Sequence, residues 1–327
     1  MKKLEGYSLM IQNILITSAG RRVSLVKSFQ KTLQEYNREG KVFATDMAPQ
    51  LSSACQVSDG YEVVPRVTDR SYIARLKEIC QKHHISLIVP TIDTELSILA
   101  QVKEQFLQED ITIAISSQEV CDTFYLKDTT EAFFLEHGFD TPKEVDTEVC
   151  DYPVFAKLNN SSCSIGAKVV HSQEEAKQMM QENPSYIFQE YIEAEEYTVD
   201  VFVDRYSNVI SVVPRLRMEV RAGEVSKAKT VKDAQIIEEI KKLVSVLSGA
   251  YGCLTVQLFK KEDRIIFIEI NPRFGGGYPL TYLSGANFAD FLIKDCLEIL
   301  LTYDESWKED NIMLRYDAEV IVDGSGI

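Results

Sequence analysis

The stretch Arg264-Ile265-Ile266-Phe267-Ile268-Glu269-Ile270-Asn271-Pro272-Arg273-Phe274-Gly275-Gly276-Gly277 decides the fold, because an apolar strand ends in polar side chains at every second position. Residues two apart on a strand point to the same side. Glu269, Asn271 and Arg273 are therefore expected on one face, with Ile266, Ile268 and Ile270 turned into a core on the other. The preceding apolar run, Leu254 to Phe259, contains Gln257, and the charged connector Lys260-Lys261-Glu262-Asp263-Arg264 reads as a hairpin loop. A five-residue loop pairs odd-numbered residues with odd-numbered ones and puts Gln257 on the face of Glu269; a two- or four-residue loop would put it behind. Three oxygen donors without cysteine or histidine suit Mg²⁺ or Mn²⁺ rather than zinc. Magnesium is usually held by few protein ligands together with substrate phosphates, so a nucleotide is the expected partner. The plainer reading of the segment is a solvated strand end followed by a turn.

A second segment, Tyr152 to Val170, reads as a strand carrying Lys157, a small polar loop from Asn160 to Gly166 with Ser161, Ser162, Cys163 and Ser164, and another strand. Backbone N–H groups in such a loop can fold over phosphate oxygens while the lysine supplies a compact positive charge. The glycine, lysine and hydroxyl spacing is not that of a Walker loop. Taken alone, the loop also fits an ordinary serine-rich hairpin.

Followed by Ile187-Phe188-Gln189-Glu190-Tyr191-Ile192-Glu193-Ala194-Glu195-Glu196, these motifs stand in a distinctive order. From residue 13 to 305 the chain resembles the ATP-grasp superfamily, and within it the carboxylate–amine ligases similar to the large subunit of carbamoyl phosphate synthase. The resemblance implies a Rossmann-like pre-ATP-grasp domain, α/β in class, followed by a two-lobed α+β ATP-grasp domain. The expected divisions fall at residues 1–118, at 119–188 for the small lobe with the phosphate loop, and at 189–327 for the large lobe with the metal site. It also implies residue roles. Lys127 and Lys157 match the two basic residues that reach the nucleotide phosphates, with Ser161, Ser162, Ser164 and Gly166 in the covering loop. Glu190, Tyr191 and Ile192 match the hinge that reads adenine, and Glu196 the acid that holds the ribose. Gln257, Glu269 and Asn271 match the metal ligands, and Arg273 the arginine beside the transferred phosphoryl group.

Between these motifs Arg215 and Arg217 alternate on one strand face, and Arg217 is a candidate for stabilising charge on an acyl phosphate. The implied activity is ATP- and Mg²⁺-dependent activation of a small carboxylate for attack by an amine. The alternative is an ATP-binding regulatory or partner protein without a productive acceptor site. No second copy of the motifs is present, unlike the duplicated large subunit the chain resembles. The four histidines fall in no catalytic arrangement, and no serine sits in a nucleophile-elbow sequence.

The remaining sequence bounds these expectations. A chain of 327 residues and formal charge -15 has a substantial core and argues against nucleic acid as the main partner. Seven cysteines without a C-x-x-C pair read as reduced thiols in a cytoplasmic protein. No run is long and apolar enough to span a membrane, and Met1 to Met10 lacks the pattern of a signal peptide. A homodimer is the base-rate expectation.

Toward the N-terminus, strands Asn13 to Thr17, Lys41 to Thr45, Ile85 to Val89 and Ile111 to Ile115 alternate with amphipathic helices, which indicates a parallel sheet. Gly20 stands alone, so the dinucleotide fingerprint is missing. Loops beyond the strand ends are expected to hold the second substrate, with Arg21 and Arg22 as candidates for a carboxylate and Asp93 and Glu95 for an amine. Helix capping is the competing role for each. A last helix is expected over Ala289 to Leu301 and a last strand over Met313 to Val322.

Overall fold

The computed structural model describes residues 11–159, 166–221 and 223–325. The N-terminal part is a parallel sheet with helical crossovers: β1 (Asn13–Ile16), α1 (Val23–Tyr36), β2 (Val42–Asp46), α2 (Ser53–Val57), β3 (Gly60–Val63), α3 (Tyr72–His83), β4 (Ile85–Val89), α4 (Asp93–Leu107) and β5 (Thr112–Ile113). The strand order is β3-β2-β1-β4-β5. β1, β2 and β4 are almost wholly buried, as strands covered on both faces must be. β3 has no such pattern, since exposed and half-buried residues alternate along this short edge strand, and hydrophobic periodicity does not reveal it. The order reverses between β1 and β4, which opens a crevice at their carboxyl ends. The loops of that crevice are tied together by Thr91, whose hydroxyl donates to the carbonyls of Thr17 (2.9 Å) and Ser18 (2.8 Å).

Two helices, α5 (Gln118–Thr123) and α6 (Lys127–Glu136), lead to a small antiparallel sheet of β6 (Val154–Leu158), β7 (Lys168–Val170) and β8 (Tyr186–Glu190), with α7 (Gln173–Glu182) between the last two. Its order is β7-β6-β8. Val154 and Ala156 of β6 enter a core with Val170, Ala176, Met179 and Phe188, so the alternate residues Phe155 and Lys157 face the other way.

The larger lobe contains β9 (Glu195–Val203), β10 (Val209–Arg221), β11 (Glu224–Thr230), α8 (Ala234–Val246), β12 (Gly252–Lys261), β13 (Arg264–Asn271), α9 (Tyr278–Leu283), α10 (Phe288–Cys296) and β14 (Ile312–Leu314). Its sheet is antiparallel in the order β13-β12-β9-β10-β11-β14. Tyr197, Val199, Val201 and Val203 of β9, with Leu254, Val256 and Leu258 of β12, pack on Ile236, Ile237, Ile240 and Leu243 of α8. The intervening residues Glu196, Thr198, Thr255 and Gln257 are thereby turned to the opposite face.

Three expectations are corrected here. The β12–β13 connection is a two-residue turn, Glu262-Asp263, with Lys261 opposite Arg264, because Glu262 takes a left-handed conformation (φ +55°) and closes the hairpin early. A β-bulge then shifts the register between Gln257 and Leu258: Leu258 lies opposite Phe267 and Gln257 opposite Glu269, so Ile268 is an extra residue. As a result Ile265, Phe267 and Ile270 enter the core, while Ile268 lines the functional face with Glu269. The last helix stops at Cys296, with Glu298 left-handed (φ +57°) just beyond, and does not reach Leu301. The last strand is limited to Ile312–Leu314, which pairs with β11; the described residues after it form no strand.

The first and last parts of the chain share a core. Phe29 of α1 meets Phe274 edge-on at 5.6 Å, and Tyr278, Phe288 and Trp307 belong to the same cluster. Truncating an aromatic side chain in such a cluster costs about 3–5 kcal/mol. This packing fixes the segment after β13 against the crevice at the ends of β1 and β4.

Candidate functional site

One cleft of about 570 Å³ gathers most of the residues singled out in the sequence. The hairpin contributes Gln257, Glu269 and Asn271, with Arg273 just beyond; β9 and β10 contribute Glu196 and Arg217. Lys127 enters from the first turn of α6 and Lys157 from β6, and Glu190, Tyr191 and Ile192 line the passage from β8 to β9. Gly166 is not among the lining residues: it sits left-handed (φ +75°) before β7, where an added Cβ would meet Leu158 and the Tyr186 hydroxyl. Ser161, Ser162 and Ser164 lie outside the described residues, as does Cys163.

Charges of both signs are held close together in the cleft. Burial pulls the Lys157 ammonium down to about 8; Glu131 opposes that shift, Lys127 adds to it and Glu269 opposes it. Burial also lowers Lys127, against the pull of Glu269 and Asp93. Glu131 is raised chiefly by burial, although the Gln189 amide donates to it at 2.5 Å. Two lysines that repel one another in a partly dry site form a place prepared for an anion.

The passage from β8 to β9 is anchored at Glu190 by one backbone bond and one side-chain bond. Glu190 N–H donates to the Lys143 carbonyl (2.9 Å), and Lys143 N–H donates to Glu190 Oε1 (3.1 Å). Tyr191 is 44% exposed, so its ring is available at the cleft mouth. On the neighbouring wall Glu196 pairs with Arg217 Nε at 3.1 Å and accepts a hydrogen bond from the Gln257 amide.

Along the end of β13 the polar groups form a chain. Asn271 Nδ2 donates to Glu269 Oε1 (3.0 Å), and Arg273 Nη2 donates to Asn271 Oδ1 (3.0 Å). Arg273 also clasps Asp93 through Nε and Nη2, both at 2.7 Å. One carboxylate and two side-chain amides are a hard, all-oxygen donor set that fits Mg²⁺ or Mn²⁺. Among the described residues no three His, Cys, Asp or Glu side chains group as a metal site, so an ion here would need further oxygens, as magnesium takes from phosphates.

The crevice candidates divide. Arg22 lines the cleft and Asp93 holds Arg273. Arg21 is exposed and outside the cleft. Glu95 is fully buried and caps α4: it accepts from the N–H groups of Thr91 and Ile92 and from the hydroxyls of Ser18 and Tyr72. With its acceptors engaged by four donors and burial raising its pKa, it is a structural group and not an amine ligand. Arg215 is likewise structural in part, buried at 1% exposure and paired with Asp200 at 2.8 Å. Asp200 is absent from the sequence expectations; its only signal is an acid at an even position of a strand whose odd positions from Tyr197 to Val203 are apolar or aromatic.

The parallel N-terminal sheet, the small and large antiparallel lobes and the cleft between them define an ATP-grasp protein. Residues 14–114 match the PylC-like N-terminal domain and residues 127–277 match the ATP-grasp domain, so the chain belongs to the ATP-grasp superfamily with a PylC-like N-terminal domain. A curated relative, 3-methyl-D-ornithine–L-lysine ligase of Methanosarcina mazei, is 24% identical over 173 residues, which is 51% of this chain and 44% of that protein. The chain thus aligns with less than half of that relative's length. Among solved structures, the biotin carboxylase domain of the Hydrogenobacter thermophilus 2-oxoglutarate carboxylase, in complex with MgADP, ADP and bicarbonate, superposes with a TM-score of 0.70 at 16% identity, covering 93% of this chain and 73% of that one. The L-amino acid ligase of Bacillus licheniformis gives 0.67 at 17% identity, covering 87% and 74%. At these identities the superpositions speak for the fold. Among the described residues no helix is long and apolar enough to cross a membrane.

Proposed function

We propose that the chain is an ATP- and Mg²⁺-dependent ligase that joins a small carboxylate to an amine through an acyl phosphate, forming a carbon–nitrogen bond. The observation that carries this reading is the meeting of Lys127 and Lys157 with Gln257, Glu269, Asn271 and Arg273 around one cleft. The Methanosarcina relative is a ligase, which supports it.

In this reading Glu190, Tyr191 and Ile192 take the adenine and Glu196 the ribose, while Lys127, Lys157 and the loop of Ser161, Ser162 and Ser164 take the phosphates, with Gly166 as the left-handed bend before β7. Gln257, Glu269 and Asn271 would hold the divalent ion, which would supply positive charge to offset that of the nucleotide. A substrate carboxylate oxygen attacks the γ-phosphorus, the bond to the bridging oxygen breaks and ADP leaves with the electron pair. The amine nitrogen then attacks the acyl carbon, phosphate departs, and the nitrogen gives its proton to solvent. Arg273 and Arg217 place cationic donors along the wall where charge accumulates. Positioning and charge neutralisation carry phosphoryl transfer, so no nucleophilic side chain is required.

The test is ADP and phosphate release from MgATP on adding a panel of carboxylates with amines. Release that requires both, with a condensed product found by mass spectrometry, is the expected result. ATP binding without release across the panel would overturn the ligase reading in favour of a nucleotide-binding regulator.

A further inference from the structure

The last paired strand, Ile312–Leu314, opens a longer strand-like sequence. From Ile312 to Val322 every even position is apolar (Ile312, Leu314, Tyr316, Ala318, Val320, Val322), whereas Arg315, Asp317 and Glu319 stand between them. Such alternation belongs to a strand with one covered face. The odd face is covered where the strand is paired: Met313 packs beside Val225, Ala228 and Leu280, and Arg315 binds Glu224 (2.6 Å) and the Gly276 carbonyl. The even face is bare, with Leu314 66% and Tyr316 84% exposed, and Ala318, Val320 and Val322 exposed beyond them. From Tyr316 to Gly324 the main chain makes no backbone hydrogen bond among the described residues.

The backbone restricts what can lie along this edge. Arg315 N–H donates to the Ser226 carbonyl and Thr230 N–H donates to the Asn311 carbonyl, both at 3.0 Å, so odd residues of β14 turn their main-chain groups toward β11. Alternate residues turn theirs the other way. The open edge of the sheet therefore presents the N–H and C=O groups of Ile312 and Leu314 and, if the strand is continued, of the even residues after them. A second copy of the same segment, laid antiparallel, bonds to them only with even residues opposite even residues. That arrangement also sets apolar side chains beside apolar ones, so main chain and side chains impose the same parity independently.

Charge then selects the register. A two-fold axis at Asp317 or Glu319 would set an acid against its own copy, one at Ala318 would set Asp317 against Glu319, and one at Arg315 would set guanidinium against guanidinium. Like charges directly opposite are destabilising. With the axis at Tyr316, Arg315 of one copy faces Asp317 of the other, Leu314 faces Ala318, Ile312 faces Val320, and no like charges meet from 312 to 320.

We infer that residues 312–320 of two copies of the chain pair antiparallel about a two-fold axis at Tyr316 and join their six-stranded sheets across the β14 edges. The contact is isologous and closed, so it yields a dimer and not a fibre. It explains why a segment with the alternation of a strand is left unpaired in a single chain: its partner strand belongs to the other copy. None of residues 312–320 lines the cleft, so the contact stands apart from the ligase reading.

The test is sedimentation velocity of the full chain from low to high micromolar concentration, with three variants beside it. The unaltered chain is expected to dimerise as concentration rises. Asp317→Lys sets an ammonium against Arg315, and Ala318→Pro removes an N–H that bonds across the interface; symmetry counts each change twice, so each is expected to weaken the dimer at least about tenfold. Glu319→Lys, which faces Met313, is expected to leave it within about threefold. Residues 317–319 make no hydrogen bond or ion pair in the single chain, so unfolding of the diluted monomer is expected to be the same in all three variants. The pairing is overturned if the chain stays monomeric, if Asp317→Lys or Ala318→Pro leaves the dimer as tight as before, or if Glu319→Lys weakens it as much as Asp317→Lys does.

Discussion

Arg273 and Asp93, 180 residues apart in sequence, form a two-pronged ion pair that joins the end of β13 to the first turn of α4. Nε meets Oδ1 and Nη2 meets Oδ2, both at 2.7 Å, the parallel geometry in which a guanidinium binds a carboxylate best. Through this pair the N-terminal sheet fixes the orientation of a side chain that belongs to the cleft of the other lobes. Asp93 thus acts through Arg273.

Replacing Asp93 with Ala removes the clasp and leaves Arg273 with Asn271 Oδ1 (3.0 Å) and the Phe274 carbonyl (3.3 Å) among its bonds. The expected outcome is a loss of roughly 1–2 kcal/mol in urea unfolding, since the pair is charge-assisted and only partly exposed. Turnover is expected to fall at least about tenfold while MgADP affinity stays within about threefold, because Arg273 is displaced while Lys127 loses only the lesser pull of Asp93 and keeps the larger one of Glu269. A drop in MgADP affinity as large as the drop in turnover would show that Asp93 supports the cleft as a whole.

Glu269→Gln removes the one carboxylate of the proposed metal set and leaves its shape, including an oxygen that can still accept from Asn271 Nδ2. Stability is expected to change by less than about 1 kcal/mol, and the Mg²⁺-dependent part of ADP affinity to disappear. Titrating ADP with and without Mg²⁺ into both proteins measures it. An undiminished Mg²⁺ effect in the variant would remove Glu269 from the metal site.

How far the sequence foretells this cleft is clearest at the hairpin. Gln257 does lie opposite Glu269, yet the loop length offered as the reason is wrong. A two-residue turn alone would set Gln257 opposite Ile268, and the bulge at Ile268 adds the one residue that restores Glu269 to the cleft. Alternation of side chains reveals which residues belong to a strand, but a left-handed Glu262 and an inserted residue are backbone events that five consecutive charged residues conceal. Lys157 was legible because Val154 and Ala156 on either side of Phe155 set the phase of β6. Asp93 as the partner of Arg273 was beyond reach because it depends on a contact between distant parts of the chain. Glu95 shows the opposite case, in which a polar residue near the right loop is consumed by a helix N-terminus.

Lys157 gives the cleft a pH dependence whose sign follows from its environment. Its ammonium titrates at about 8 in the ligand-free chain, against 10.5 for an unburied lysine, so between those values the unfolded chain binds more protons than the folded one. Folding stability from this group therefore rises with pH across that window. Nucleotide binding has the opposite sign: a triphosphate favours the cationic form, so above pH 8 binding must take up a proton. ATP affinity is expected to be level below that pH and to fall by up to about tenfold per pH unit above it. Calorimetry at pH 8.5 in two buffers of different ionisation enthalpy is expected to show proton uptake in the unaltered chain and to lose it in Lys157→Gln. Equal uptake in both would assign the titration to another group.

Gly277 carries the sharpest steric prediction. A Cβ there would lie 1.9 Å from Arg215 Nη1 and 2.9 Å from its Cζ, well inside contact distance. The end of a flexible arginine on the surface would swing aside, but Arg215 is 1% exposed and bonded to an Asp200 that also accepts from the Thr281 hydroxyl. Moving Arg215 leaves the fully buried Asp200 carboxylate with hydroxyl donors only, and breaking a buried pair costs about 3–5 kcal/mol. Gly277→Ala is therefore expected to lower stability by about 3 kcal/mol or more in denaturant titration, although Gly277 itself has an ordinary backbone conformation (φ -86°) that alanine adopts without strain. The double variant with Arg215→Met tests the cause, because the added methyl then has no guanidinium to displace. If Gly277→Ala costs as much in the Arg215→Met background as in the unaltered chain, the clash lies elsewhere; a cost that shrinks to within about 0.5 kcal/mol of zero places it at the Arg215–Asp200 pair.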